Sequence, residues 1–390
     1  MTCVFLHIIA ILITSVTYST SDIFESWPTN KILERDGYNG ETHNITTEDG
    51  FILSVDRIPG KLNSIPVLLM HGLLLDSTMW IILGKNKSLA YLLADRGYDV
   101  WMGNSRGNTH GMSHVNLTTN DYEFWDFSFN EMGIYDLPAT INYIKNITND
   151  TVIIIGHSQG TMISFIMESE RPEMAKNVKA LICLAPVAFL EHINIRVRII
   201  GPFLTMFGRL YRKLGIFNSF GVQSPLYKFM NSLGCKLSKI QMAFCRNIYF
   251  TILAADNQFN NSIFPLVLSH FPAGTSSKNL FHFTQGITSK RFAKYDYGKN
   301  KNLEIYNSPK SPEYNLSRVT SPVALIYSDA DFATDQKDVE ALSKLLPNIA
   351  DKYKVKYPDF THMDFIWAKD AKKLVYDHVI ELVKKFSDKD

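Results

Sequence analysis

Cysteine is scarce in this chain, with four in 390 residues, and the first, Cys3, lies in an N-terminal apolar run. The other three are too few for a disulfide-dense scaffold, and no His/Cys cluster has the sequence spacing of metal ligands. Net charge is scarce as well. Lys and Arg number 40 against 38 Asp and Glu, a formal +2, and no arginine-rich tract interrupts the balance. Composition therefore argues against a nucleic-acid partner. There is no internal repeat and no low-complexity linker, and after the N-terminal run no segment is apolar for long enough to cross a bilayer. With 46% hydrophobic and 20% charged residues, what remains is a globular composition able to bury a large core.

The N-terminus, MTCVFLHIIAILITSVTYSTSD, has an apolar core from Val4 to Ile13 followed by small and polar residues. It lacks the usual Lys or Arg before that core, yet its length and flank suit a cleaved secretory signal over residues 1–20 better than a membrane anchor. Glycosylation sequons at Asn44, Asn86, Asn116, Asn146, Asn149, Asn260 and Asn315 point to the same route. The closing SDKD is no retention tetrapeptide, so the expected destination is secretion or the lysosome. Cys235 and Cys245 are near enough in sequence to pair and staple a local loop. Cys183, inside ALICLAPVAF, reads as a buried free thiol.

Five segments share one theme, an apolar strand followed by small residues and then a helical pattern: IPVLLMHG, YDVWMGN, TVIIIGHS, KALICLAP and SPVALIYS. Alternation with helices such as KSLAYLLADRG and IYDLPATINYIKN predicts an α/β fold, a mainly parallel sheet covered on both faces. ITTEDGFILSVDRIPG alternates around Asp49-Gly50 as an opening antiparallel hairpin. From about Val187 the rhythm stops, and Phe, Met, Leu and Tyr dominate. The expected organisation is a core over residues 21–186, a mostly helical cap over 187–310 above the C-terminal sheet edge, and the rest of the core over 311–390.

Chemistry enters at TVIIIGHSQGTMISFIM. A β-branched run meets a helical pattern with only Gly-His-Ser-Gln-Gly between them, and Gly156 and Gly160 are the small neighbours that a strained strand-to-helix turn needs. That is a nucleophile elbow presenting Ser158. A serine needs a base, and the base an orienting acid, in the chain order Ser, Asp or Glu, His. Past the strand VALIYS, Asp331 is best placed, with Asp335 the alternative, although Asp335 also suits the N-cap of DQKDVEALSKLL. Asp338 falls inside that helix. His362 lies in a loop after a strand-like segment (Lys352 to Tyr357), whereas His378 lies in an amphipathic C-terminal helix. Oxyanion donors are expected at the Gln159 and Leu73 N–H groups, with His71 shaping the loop that carries Leu73.

With TTEDGFILSVDRIP, HGLLLDSTMW, RGYDVWMGNSRGNTH, FWDFSFNEMGIYDLPATI, GHSQGT, LAPVAF, HFPAGTSSKNLFHFTQ, YDYG, DADFATDQKDV and HMDFIWAKDA, the chain resembles the acid lipase family, the gastric and lysosomal acid lipases and their animal relatives. The resemblance runs from about Ile45 to the C-terminal helix. It implies an α/β-hydrolase fold, a triad of Ser158, Asp331 and His362, oxyanion donors at Leu73 and Gln159, and a cap disulfide between Cys235 and Cys245. It favours Asp331 over Asp335, requires no cofactor or metal, and implies a neutral-lipid ester, triacylglycerol or cholesteryl ester, met at an emulsion or membrane surface. Departures are SDAD where many relatives have Gly-Gly before the acid, and the cap around RVRIIGPFLTMFGRLYRKLGIF (Arg196 to Phe217), whose apolar–basic pattern suits a lipid surface. Two other functions are open to this sequence: a hydrolase of small soluble esters, and a lipid carrier that has kept the fold without turnover.

Overall fold

The computed structural model describes residues 27–195, 198, 218–219 and 258–388. The opening hairpin is β1 (Glu41–Thr46) against β2 (Phe51–Ile58), antiparallel, turning at Gly50 with a φ of 93° that glycine adopts without strain. The five apolar runs become β3 (Pro66–Met70), β4 (Asp99–Gly103), β6 (Val152–His157), β7 (Val178–Leu184) and β10 (Val323–Tyr327). Two short additions are β5 (Ser113–His114), paired with β2, and the edge strand β11 (Ile349–Lys354). The sheet order is β1-β2-β4-β3-β6-β7-β10-β11. Pairs involving β2 are antiparallel, and from β4 across to β11 every pair is parallel.

Side-chain alternation along these strands builds two apolar layers, because successive strand residues face opposite ways. Leu68, Ile154, Leu181, Cys183 and Leu325 face one layer, completed by α3 (Leu137–Thr148), α4 (Gln159–Glu170) and α8 (Gln336–Leu345). Val67, Leu69, Ile153, Ile155, Ile182 and Ile326 face the other, completed by α1 (Thr29–Arg35), α2 (Leu89–Ala94) and α10 (Asp377–Ser387). Cys183 is buried and free, and its burial pushes the thiol pKa up, away from reactivity. Arg106, fully buried, braces the hairpin turn to the helical layer. It donates to Asp136 at 2.8 Å and to both oxygens of Asp49 at 2.6 and 2.8 Å.

Several bounds differ from expectation. The helix foreseen in IYDLPATINYIKN starts as a π turn (Met132–Asp136), and the amphipathic C-terminal helix that holds His378 likewise (Lys372–Tyr376). The first wide turn brings Asp136 to Arg106, a tertiary contact that local helical periodicity does not encode. The strand expected over Lys352 to Tyr357 ends at Lys354, with Val355 N–H bonded to the Tyr327 carbonyl at 2.9 Å.

Residues 1–20, Cys235, Cys245 and nearly all of Arg196 to Phe217 lie outside the described residues, as does much of the expected cap. Its flanks are anchored in the core, through Val187, Ala188 and Leu190 before and Ile287 and Phe292 after. The returning segment carries α5 (Phe264–His270), β9 (Thr275–Ser276), α6 (Ser277–Ser289) and α7 (Lys299–Tyr306), with β9 paired to β8 (Asn218–Ser219). A third apolar cluster joins α5 to α9 (Asp364–Trp367) and to the loop after β3, through Leu75, Met79, Val267, Ile366 and Trp367. Among the described residues, no helix is long and apolar enough to cross a membrane.

Candidate active site

Ser158 stands between the last residue of β6 and the first of α4, at φ 54° and ψ −116°. That conformation is costly for a residue with a Cβ and persists only where the surroundings impose it. The neighbouring glycines show how they do so. A Cβ on Gly156 would sit 2.7 Å from the Gly160 carbonyl carbon, and one on Gly160 would overlap the Met70 carbonyl oxygen. Only hydrogen at both positions lets the helix start this close to the sheet. The Ser158 N–H is held by the Leu184 carbonyl at 3.0 Å, and its own carbonyl accepts from the Thr161 N–H at 2.9 Å.

His362 follows β11 in a loop whose bend is fixed by the Asp364 carboxylate, which accepts from the Thr361 N–H at 2.7 Å and hydroxyl at 2.9 Å. Its Nε2 accepts from the Ser158 hydroxyl at 2.8 Å, and its Nδ1–H faces both oxygens of Asp331 at 2.9 Å. Asp331 sits past β10, where Oδ1 also accepts the N–H groups of Ala333 (2.8 Å) and Thr334 (2.9 Å). All three residues are buried. An ionised carboxylate only accepts, so it fixes the proton on Nδ1 and leaves the Nε2 lone pair for the serine.

The alternatives occupy other posts. Asp335 caps α8, accepting from the Lys337 N–H at 2.8 Å. Asp338 pairs with His192 at 2.7 Å, Asp329 with Lys354 at 2.7 Å, and His378 with Asp351 at 2.7 Å. His71 shapes the loop after β3. Its Nδ1–H donates to the Gly72 carbonyl at 2.8 Å, while Nε2 accepts from the Ser105 N–H at 3.1 Å. Burial lowers its pKa, in keeping with a neutral ring. A Cβ on Gly72 would lie 3.1 Å from the Ser158 Cβ, so the loop carrying Leu73 passes directly beside Ser158. Gln159 opens α4, and the N–H of a helix's first residue has no carbonyl partner within the helix and can serve an anion.

Two residues of this site escaped the sequence reading. His157 donates from Nε2 to the His362 carbonyl at 3.0 Å, tying the turn at Ser158 to the loop of His362. Its burial, with the His362 ring beside it, drives its pKa well below the ordinary histidine value, so it adds no charge next to His362. Asn279, fully buried on α6, donates to the Gln159 side-chain oxygen at 2.8 Å. The only signals were the quoted segments GHSQGT and HFPAGTSSKNLFHFTQ; neither names its partner.

A family model described as the alpha/beta hydrolase fold matches residues 65–369, and one described as a partial alpha/beta-hydrolase lipase region matches 29–84. Human gastric triacylglycerol lipase is 38% identical, over 95% of this chain and 92% of its own. The lysosomal acid lipase/cholesteryl ester hydrolase of Macaca fascicularis is 36% identical over 92% and 90%, and Lipase 1 of Drosophila melanogaster 39% over 91% and 79%. Among solved structures, alpha/beta hydrolase GrgF from Penicillium sp. sh18 superposes with a TM-score of 0.52 at 14% identity, over 89% of this chain and 98% of that one. A thermophilic esterase from Thermogutta terrifontis gives 0.50 at 15%, over 89% and 99%. At those identities the superpositions speak for the fold, while the relatives and family models match nearly the whole chain. The chain belongs to the acid lipase family, carboxylic ester hydrolases built on the α/β-hydrolase fold.

Proposed function

We propose that this enzyme hydrolyses carboxylic esters of neutral lipids, triacylglycerol or cholesteryl ester, through an acyl-enzyme on Ser158. The observation that carries the reading is the unbroken relay of Ser158 Oγ, His362 and Asp331 at 2.8 and 2.9 Å. Its relatives are named for both lipid classes. In this scheme His362 Nε2 takes the serine proton as Oγ attacks the ester carbonyl. The Leu73 and Gln159 N–H groups receive the oxyanion, and Asp331 stabilises the imidazolium. The same proton then goes to the leaving alcohol, and His362 next deprotonates the water that releases the fatty acid. Residues 187–310 serve as the cap over this site, with Cys235 and Cys245 bridged within it.

The route is secretory, ending outside the cell or in the lysosome. Six of the seven acceptor asparagines are exposed, with Asn260 half-buried. Release of N-glycans from protein made in a secretory host should lower its apparent mass.

Fatty-acid release from emulsified trioleoylglycerol and cholesteryl oleate, wild type beside Ser158→Ala, tests the function. Turnover should fall by about 10⁶-fold in the variant. Retained release would overturn the mechanism, and no release from either emulsion by folded wild type would overturn the substrate class.

A further inference from the structure

We propose that Asp76, His110 and His270 form a binding site for a zinc-like divalent cation, which ties the loop carrying Leu73 to the chain returning after residue 258. The three come from separate elements. Asp76 ends the loop after β3 and caps the 3-10 turn Ser77–Trp80, His110 lies in the loop after β4, and His270 is the last residue of α5. One ligand atom from each lies within 4.8 Å of the other two.

Asp76 is fully buried, and its two oxygens are treated unequally. Oδ1 accepts from the Thr78 N–H at 3.0 Å and from the Thr78 hydroxyl. Oδ2 is sealed from solvent and has no hydrogen-bond partner, and neither have His110 Nε2 and His270 Nε2. An unsatisfied buried carboxylate oxygen is expensive, which makes it an observation to be explained. Facing Oδ2 are His110 Nε2 at 3.5 Å and His270 Nδ1 at 3.4 Å. Metal–ligand bonds of about 2.0–2.1 Å in a tetrahedral shell set neighbouring ligand atoms about 3.3–3.4 Å apart, so the spacing suits a cation between them better than direct hydrogen bonds. Two imidazoles and one carboxylate are a donor set favoured by zinc-like ions. His270 would then carry its proton on Nε2, its Nδ1 lone pair facing the cation in place of the Thr78 hydroxyl 3.0 Å away. Of the three side chains only His110 is in part exposed to solvent, and a water would be the fourth ligand of a tetrahedral shell.

The position gives the site a purpose. The Leu74 carbonyl accepts from the Ala273 N–H at 2.7 Å, and the Thr109 hydroxyl donates to the Ala273 carbonyl at 2.9 Å. A cation on Asp76, His110 and His270 joins the same three segments next to these bonds, fixing the loop that precedes Asp76. The binding site stands independently of the catalytic reading; only the effect on turnover rests on Leu73 being an oxyanion donor.

Full-length protein from a secretory host, stripped with dipicolinate, is titrated with zinc against a chromophoric chelator and separately with cobalt. The expected result is one zinc per chain, the visible absorption of four-coordinate cobalt, and a Tm raised by about 4 °C at a hundredfold excess over Kd. His110→Ala, at a partly exposed position, should bind at least 100-fold more weakly, while His378→Ala should bind as wild type does. Absence of stoichiometric uptake by the stripped wild type would overturn the site, as would undiminished binding by His110→Ala. Stripping should also lower kcat on a soluble p-nitrophenyl ester several-fold, with zinc restoring it. Stoichiometric binding with unchanged kcat would overturn the clamp alone.

Discussion

Asp331 and Asp76 are both buried carboxylates facing imidazole, and they are satisfied in opposite ways. Asp331 takes two backbone N–H groups and the His362 Nδ1–H, every contact at 2.8 to 2.9 Å. Asp76 has one oxygen engaged by Thr78 and the other facing two ring nitrogens at 3.4 and 3.5 Å. A closed shell holds one tautomer of one histidine, which is what a general base needs. An open shell of three convergent donors has no such preference and is suited to a guest.

The largest break in this comparison comes from the closed side. Asp331→Asn keeps the shape of the side chain but no longer selects the Nδ1–H tautomer, and kcat should fall by about 10⁴-fold with the fold intact. Asp335→Ala is the companion. It removes only the cap of α8, so it should cost about 1 kcal/mol in denaturant unfolding while activity stays near wild type. A reversal of those two results would move the acid to Asp335.

Next in size is Asn279→Ala, which removes the donor from the buried Gln159 oxygen and leaves that oxygen unsatisfied, a cost of about 1–3 kcal/mol. Because Gln159 carries a proposed oxyanion donor on its backbone, kcat should drop about tenfold with KM little changed. A loss seen only in Tm would make Asn279 a structural residue and nothing more.

How much of this was readable beforehand follows from the range of each contact. The close approach of helix to sheet at Ser158 is local, made by glycines two residues either side, and so it was legible from one segment, a strand-like run passing straight into a helix-like one. The parallel sheet was legible because its strands are apolar on both faces. Asp331 and His362 were reached through chain order and through the better claim of Asp335 to a helix cap. The His157 bond to the His362 carbonyl spans 205 residues and the Asn279–Gln159 bond 120. No periodicity or spacing encodes contacts of that length. The Asp76, His110 and His270 cluster was missed for the same reason, since the sequence spacing of metal ligands was sought within local motifs.

Glu168 sharpens the comparison, because it is another buried carboxylate and the groups that counter its burial are Ser321 and Thr320, not histidines. At Asp76 burial pushes the pKa up, but His270 and His110 more than offset this and hold it below the ordinary value. At Glu168 burial again raises the pKa, and hydrogen bonds from Ser321 are too weak to reverse it, with Oε1 left unpartnered. A native pKa above the unfolded value of about 4.3 means that folding binds the proton more tightly. The contribution to stability is therefore complete below that pH and is lost as pH rises through the native pKa. Glu168→Gln, a mimic of the protonated form, should match wild type in Tm near pH 4 and exceed it at pH 7. Equal melting of the two proteins at both pH values would mean that the Ser321 bonds suffice after all, and would place Glu168 with Asp331 rather than apart from it.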